Sequence, residues 1–303
     1  MRLPVRLLVT FALAAPASAW AQGLFRKSDP LEITIITRLG TLIRDRDSTN
    51  RAMHGAELSY RDSSGTAVTV AVSLRTRGHF RRQGRNCDFP PLKVEMTREA
   101  AKNTLFEGNR TLKLASNCRP SHSEYEQYIL QEFALYRMYQ ALTPWSFRTR
   151  LAHVTYQDSS GKTKPVQSWA FFVEDDGDLA QRRNVRKFDI EGALFDDLEA
   201  TKFGYLQLFQ YMAGNTDWSV SGLHNIMLLR DSIGVVHPVP FDFDWSGAVD
   251  ARYAFPDKSL PIRLVREKDP VAVRVEGVAD LGGPRVDRRD EVLAVALAGG
   301  PPV

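Results

Sequence analysis

The stretch Gly214–Gly247, GNTDWSVSGLHNIMLLRDSIGVVHPVPFDFDWSG, decides how the chain is read. It sets Asp217, His224, Asn225, Asp242 and Asp244 among apolar residues. Asp217 follows an apolar segment of helical periodicity that ends at Gly214. Asn225 opens a short strand, NIMLL, and GVVHPVPF supplies a returning strand. A hairpin of these two brings Asp242 back beside Asn225. Two or three oxygen donors then converge without any long-range assumption. Mg2+ takes few protein ligands and keeps its waters, so one Asp and one Asn make an adequate set. The plainer reading is that these Asx side chains only close turns.

Outward from that stretch, the upstream chain alternates. LEITIITRL (31–39) and TAVTVAVSLRTRG (66–78) place apolar residues at every second position, as strands do. CDFPPLKVEM and TLKLASNC read as a hairpin over the loop TREAAKNTLFEGNR. SFRTRLAHVTYQD and PVQSWAFFVED read as a second hairpin. SHSEYEQYILQEFALYRMYQAL (121–142) has helical spacing, with Ser121 or Ser123 as its cap and Pro144 just past its end. EDDGDLAQRRNVRKF reads as a polar crossing, and 193–214 returns to helical periodicity. Strands, one helix, more strands and then a helical part describe an α+β bilobal plan, with a ligand cleft between the lobes.

Composition sets outer bounds. The chain has 303 residues, 43% hydrophobic and 25% charged, with a net charge of +4. That balance is ordinary for a globular protein and falls short of a nucleic-acid-binding signature. The basic run RTRGHFRRQGR (75–85) reads as a solvated loop, with anion contact as the alternative. The N-terminus pairs Arg2 and Arg6 with an apolar run from Leu7 to Ala15. Small residues follow at Ala17-Ser18-Ala19 or Ala19-Trp20-Ala21, the pattern of a secretory signal peptide. The run is too short to span a bilayer, and no other stretch is long enough. In an exported protein the only two cysteines, Cys87 and Cys118, fall at the open end of the first hairpin and are expected to pair. Matching Lys93 with Lys113 leaves the cysteines one residue out of register, which a bulge at Pro90-Pro91 corrects. The organisation expected is therefore a signal peptide at 1–21, a β-rich lobe with one long helix at 22–176, a helical lobe carrying the acidic loop at 177–265, and an atypical tail at 266–303.

The stretch Gly214–Gly247 resembles the atypical kinases of the CotH type (spore-coat kinases) and, more distantly, the HipA type. In those families a G-N-x-D loop carries the catalytic Asp, a downstream Asn binds metal, and a strand-end Asp binds metal as the DFG aspartate does. The resemblance implies that Asp217 is catalytic and that Asn225 and Asp242 hold the metal, with Asp244 at the position of the DFG glycine. VSLRTRGHFR is similar to the R-G segment of CotH-type proteins. RTLKLAS, ahead of the long helix, is placed like the kinase lysine strand, which implies Lys113 as the phosphate-contacting Lys and Lys93, on the partner strand, as the alternative. Glu132, inside the apolar stripe of the helix, is the expected partner of Lys113, with a rim position beside Arg137 or solvent as the alternative. WAFFVEDDG resembles a last strand running into a hinge, where adenine meets the backbone near Glu174. What the resemblance implies is a bilobal protein-kinase-like fold, ATP with Mg2+ or Mn2+, and phosphoryl transfer to a protein hydroxyl. A non-catalytic envelope or binding protein and a metal-dependent phosphohydrolase are the other readings of the same acids.

Overall fold

In the computed structural model, residues 23–256, 258 and 260–267 are described. The signal-peptide reading and the tail from 268 onward lie outside them. Alternation along Leu31–Thr37 (β1) turns Ile33 and Ile35 into an interior shared with the inward residues of His54–Arg61 (β2) and Ala67–Thr76 (β3). Leu92–Glu95 (β4) and Thr111–Ser116 (β5) continue the antiparallel order. Val166–Val173 (β7) pairs with β5 and with Thr149–Asp158 (β6). β6 then runs parallel to β1, and this pairing closes the sheet into a barrel of order β1-β2-β3-β4-β5-β7-β6. Closure removes the exposed sheet edges that would otherwise invite aggregation.

β7 carries the apolar run WAFFV because both of its faces are buried. Phe172 points into the barrel, whereas Phe171 and Val173 point outward into a second core. That second core is covered by Ser123–Leu142 (α3), through Ile129, Tyr136 and Tyr139. Ala200–Ala213 (α5) joins it through Phe209, and the three-stranded sheet through Met227, Leu229 and Val239. The sheet has the order β10-β9-β8, from Val236–Pro240 (β10), Ile226–Arg230 (β9) and Arg186–Lys187 (β8). Pro238 and Pro240 are tolerated because β10 is an edge strand.

The bilobal kinase-like plan expected from the sequence is therefore corrected to a closed mixed seven-stranded barrel with few helices. After β7 the chain supplies only Asp176–Arg183 (α4) and α5 as α-helices among the described residues, too little to build a helical lobe. α3 buries its apolar face against the outer wall of the barrel, while α5 packs on α3 through Phe209 against Tyr139 and on the small sheet through Phe203 and Leu206. Several elements also differ locally. The helix expected over 193–214 begins at Ala200, after a 3-10 turn at Phe195–Asp197. The polar crossing contains α4 and β8. Two elements had no counterpart in the sequence reading, β2 and Leu39–Arg44 (α1), and Arg98–Ala101 (α2) sits inside the first hairpin loop. The N-cap of α3 is His122, with no side-chain cap, and Glu124 and Glu126 in the first turn favour the helix dipole instead.

The first hairpin pairs Lys93 with Lys113, as the strand pattern suggested. The Asp88 and Phe89 N–H groups both donate to the Cys118 carbonyl, at 2.9 and 3.1 Å, so just beyond the paired strands two residues oppose one, at Asp88-Phe89 and not at the expected Pro90-Pro91. This bulge takes up the one-residue mismatch, and Cys87 and Cys118 form a disulfide with their Cα atoms 4.7 Å apart. The crosslink spans 31 positions. Replacing both cysteines by Ser is expected to lower stability by about 3 kcal/mol, from the chain entropy restored to the unfolded state. Urea unfolding of the double variant against wild type, the latter with and without reductant, measures the difference.

Candidate functional site

The segment between Gly214 and Gly247 folds back on itself. Gly214 ends α5 in the left-handed region, at φ 63°, and its carbonyl accepts the Gly247 N–H at 2.9 Å. A Cβ on Gly247 would stand 2.2 Å from the Val265 carbonyl oxygen, so the chain can approach here only because this residue is Gly. Within the loop so closed, the Asn215 side chain accepts the Asp217 N–H at 3.0 Å and donates to Gln210 at 3.0 Å. Asp217 is thereby presented from a fixed turn. Its carboxylate is held on one oxygen by His224 Nε2 at 2.8 Å and on the other by Asn225 Nδ2 at 3.0 Å. The hydrogen bond to Asp217 is the main cause that raises the His224 pKa, with the charge of Asp242 adding to it.

The β9–β10 register sets Ile226 opposite Pro240, and the Asn225 carbonyl accepts the Phe241 N–H at 3.0 Å. Asp242 therefore leaves the hairpin beside Asn225. Both residues have left-handed backbones, φ 52° for Asn225 and 62° for Asp242, a conformation Asn and Asp bear better than other side chains. The Tyr136 hydroxyl of α3 accepts the Asp242 N–H at 2.8 Å and pins the strand end.

Asp242 and Asp244 meet Glu132 of α3 here. The three carboxylates each offer an oxygen, and these oxygens lie within 4.8 Å of one another. Arg81, from the loop between β3 and β4, sits among them: Nη1 is 3.5 Å from Glu132, Nη2 3.4 Å from Asp242 and Nε 3.4 Å from Asp244. The Tyr253 hydroxyl donates to Asp244 at 2.9 Å. Phe80 packs edge-on against Trp245 and holds the Arg81 loop to the acidic loop. One guanidinium cannot neutralise three carboxylates, and two of them are almost fully buried. Burial, first, and the neighbouring acids then push Glu132 well above the carboxylate range and Asp244 up to about 6. The Asp242 side chain remains 44% exposed and is the open side of the cluster.

The residues expected to bind nucleotide fall differently. Lys113 and Glu132 line the same hollow, along with Arg77 and Asp242, but they do not pair with each other. Register explains it: Lys113 lies opposite Val173 of β7, so the chain reaches Asp176, in the first turn of α4, directly beside the Lys113 ammonium. Glu132 takes Arg81 instead. Lys93, the alternative phosphate lysine, is ion-paired with Glu95 of its own strand. Glu174 is not free to serve a hinge. Its carboxylate receives Arg182 on both oxygens, each at 2.9 Å, and Arg148 Nε at 3.1 Å, while its N–H donates to the Arg148 carbonyl. Arg81 and Asp176 escaped the sequence reading because each stands in a run of like residues, RTRGHFRRQGR and EDDGD, in which spacing does not show which member turns inward.

Two predictions follow from this geometry. Glu174→Gln is expected to cost about 2 kcal/mol, below the range for fully buried pairs because both arginines keep some exposure; chemical unfolding against wild type reads the difference. For Asp244 the folded pKa, about 6, lies above the ordinary 3.8. The folded state thus holds the proton more tightly, and stability is lost as pH rises from about 4 through 6. In Asp244→Asn that slope is expected to flatten, seen as a thermal midpoint that changes less between pH 4 and 7 than that of wild type.

No protein-family model matches the chain, and no curated protein or solved structure matches it.

Proposed function

We propose that the chain is an exported phosphotransferase that moves a phosphoryl group from ATP to a protein hydroxyl with the help of Mg2+ or Mn2+. One observation carries this reading: Asp217 is bonded to Asn225, whose carbonyl takes the Phe241 N–H, so this pair stands at the strand end next to Asp242, which lines a hollow with Lys113. Phosphoryl transfer needs positioning and charge more than covalent chemistry, and these residue types supply both. The reading stands on the side chains and not on the barrel, since a fold does not by itself imply a function.

The donors suit a divalent ion. Asp242 and Asp244 carry more negative charge than Arg81 alone offsets, Glu132 adds a third oxygen donor, and Asp242 opens to solvent. Asn225 turns its amide nitrogen to Asp217, so its side-chain oxygen faces away from that carboxylate. Asp242 and Asn225, with Asp244 behind them, would hold the ion, which when bound supplies positive charge to phosphate oxygens. Asp217 orients the acceptor hydroxyl and takes its proton, held for that task by His224 and Asn225. Lys113 neutralises phosphate charge once it turns from Asp176. Export is supported by the N-terminal pattern together with the Cys87–Cys118 disulfide, a bond favoured outside the reducing cytosol. Among the described residues no helix is long and apolar enough to cross a membrane.

Asp217→Asn is expected to lower transfer from labelled ATP about a hundred- to ten-thousand-fold with an unchanged thermal midpoint. Undiminished labelling in that variant would sink the assignment. Stabilisation of the wild type by ATP and Mn2+ without transfer would mark a binding protein instead, and release of free phosphate without a labelled acceptor would mark a hydrolase.

A further inference from the structure

α5 is apolar on every side. Phe203, Leu206, Phe209 and Ala213 are buried against the small sheet and the second core. The opposite face has the same chemistry: Tyr205, Leu208, Tyr211 and Met212 recur at three- and four-residue spacing and are 37–47% exposed. A surface helix ordinarily turns polar side chains to water, and one that is apolar all round is covered on both sides. Thr201 and Gly204 complete the exposed stripe, and no exposed position of α5 carries a charge. Its only charged residue, Lys202, is taken by Glu199 and lies over the Trp145 ring. Beside it α3 packs Tyr139 on Phe209, and Met138 and Leu142, within one turn of Tyr139, are exposed as well.

Gly204 is an independent observation. A glycine inside a helix weakens it relative to alanine, and it stands there when something has to come close. A Cβ on Gly204 would meet no atom within 4 Å, so nothing in the described fold needs this residue to be small. A body arriving from outside does. The order of the stripe says which body. Leu208 is its centre, with Gly204 and Met212 four positions to either side and Tyr205 and Tyr211 three. A second copy of the helix, laid antiparallel about a two-fold axis at Leu208, brings the bulky last turn of each helix over the glycine turn of the other. Large meets small at both ends, and no like charges meet. Tyr and Met are also residue types that interfaces favour. One helix face falls short of the roughly 800 Å2 per partner that standard interfaces bury, so the dimer is weak and its population follows concentration.

We propose that the outer face of α5 is an isologous interface between two copies of this chain, centred on Leu208, with Gly204 at the point of closest approach. The proposal does not depend on the phosphotransferase reading. The test is analytical sedimentation of the full chain over a range of concentrations, with thermal unfolding at the lowest. Wild type is expected to pass from monomer to dimer as concentration rises. Leu208→Glu sets two like charges on the axis and is expected to stay monomeric with an unchanged thermal midpoint. Glutamine is a better helix former than glycine and has room at this position in the single chain. Gly204→Gln is therefore expected to melt no lower than wild type, while its dimerisation weakens about tenfold or more. Wild type that stays monomeric at every concentration overturns the proposal; if that monomer binds vesicles of phosphatidylethanolamine and phosphatidylglycerol and Leu208→Glu does not, the face meets lipid instead. A dimer that persists in Leu208→Glu also overturns it, because the interface then lies elsewhere.

Discussion

Arg81 is the buried charge on which the site depends. Its guanidinium lies within 3.4–3.5 Å of carboxylates from α3 and from the loop after β10, while its own backbone belongs to the loop that joins barrel strands β3 and β4. Burying an ion costs several kcal/mol unless it is paired with good geometry. Glu132 and Asp244 are nearly inaccessible to water, so each needs Arg81, and neither tolerates its absence. The barrel, the long helix and the small sheet are thus tied at one point by charge, as well as along their shared apolar core. Because the carboxylates outnumber the guanidinium, the same point stays hungry for positive charge. A stabilising device and a cation-attracting one are here the same group of atoms.

The barrel makes this possible by what it exposes. β5 and β7 are buried on both faces, so their outward residues form a platform for α3, on which α5 packs in turn. α3 then points Glu132 and Tyr136 toward the strand end that carries Asp242. The loop between β3 and β4 carries Arg77 and Arg81 across the same opening, stapled below by the Cys87–Cys118 bond and above by Phe80 on Trp245 and Tyr253. The hollow forms where barrel rim, helix and hairpin meet, which is where ligand sites tend to lie.

Local pattern carried part of this. Period-two alternation in 31–39 and 66–78, the Lys93–Lys113 pairing and the long helix after Ser121 were legible, because neighbouring residues decide them. β2 was not read, although Ala56, Leu58 and Tyr60 alternate: only Leu58 and Tyr60 are buried, and three of its eight residues are exposed. The parallel β1–β6 pairing was not legible either, since no short-range signal marks two strands more than a hundred residues apart as neighbours. Without that pairing the strands read as an open lobe. With it they form a barrel, and the helical part becomes a cover for its wall.

For the site, the sequence alone determined which chemistries were at hand: carboxylates, an amide and an imidazole spaced along a Gly-bounded loop and hairpin, with a lysine on an upstream strand. Hydrogen bonding within that loop is local, and the structure brings Asp217, His224 and Asn225 together inside it. Only the tertiary structure decided which charge faces which. Glu132 received Arg81 and not Lys113; Lys113 received Asp176; Glu174 was taken by two arginines. Charge pairing in a buried space is settled by which partner the strand register and the packing deliver first, and those distances run through the whole fold rather than along the chain.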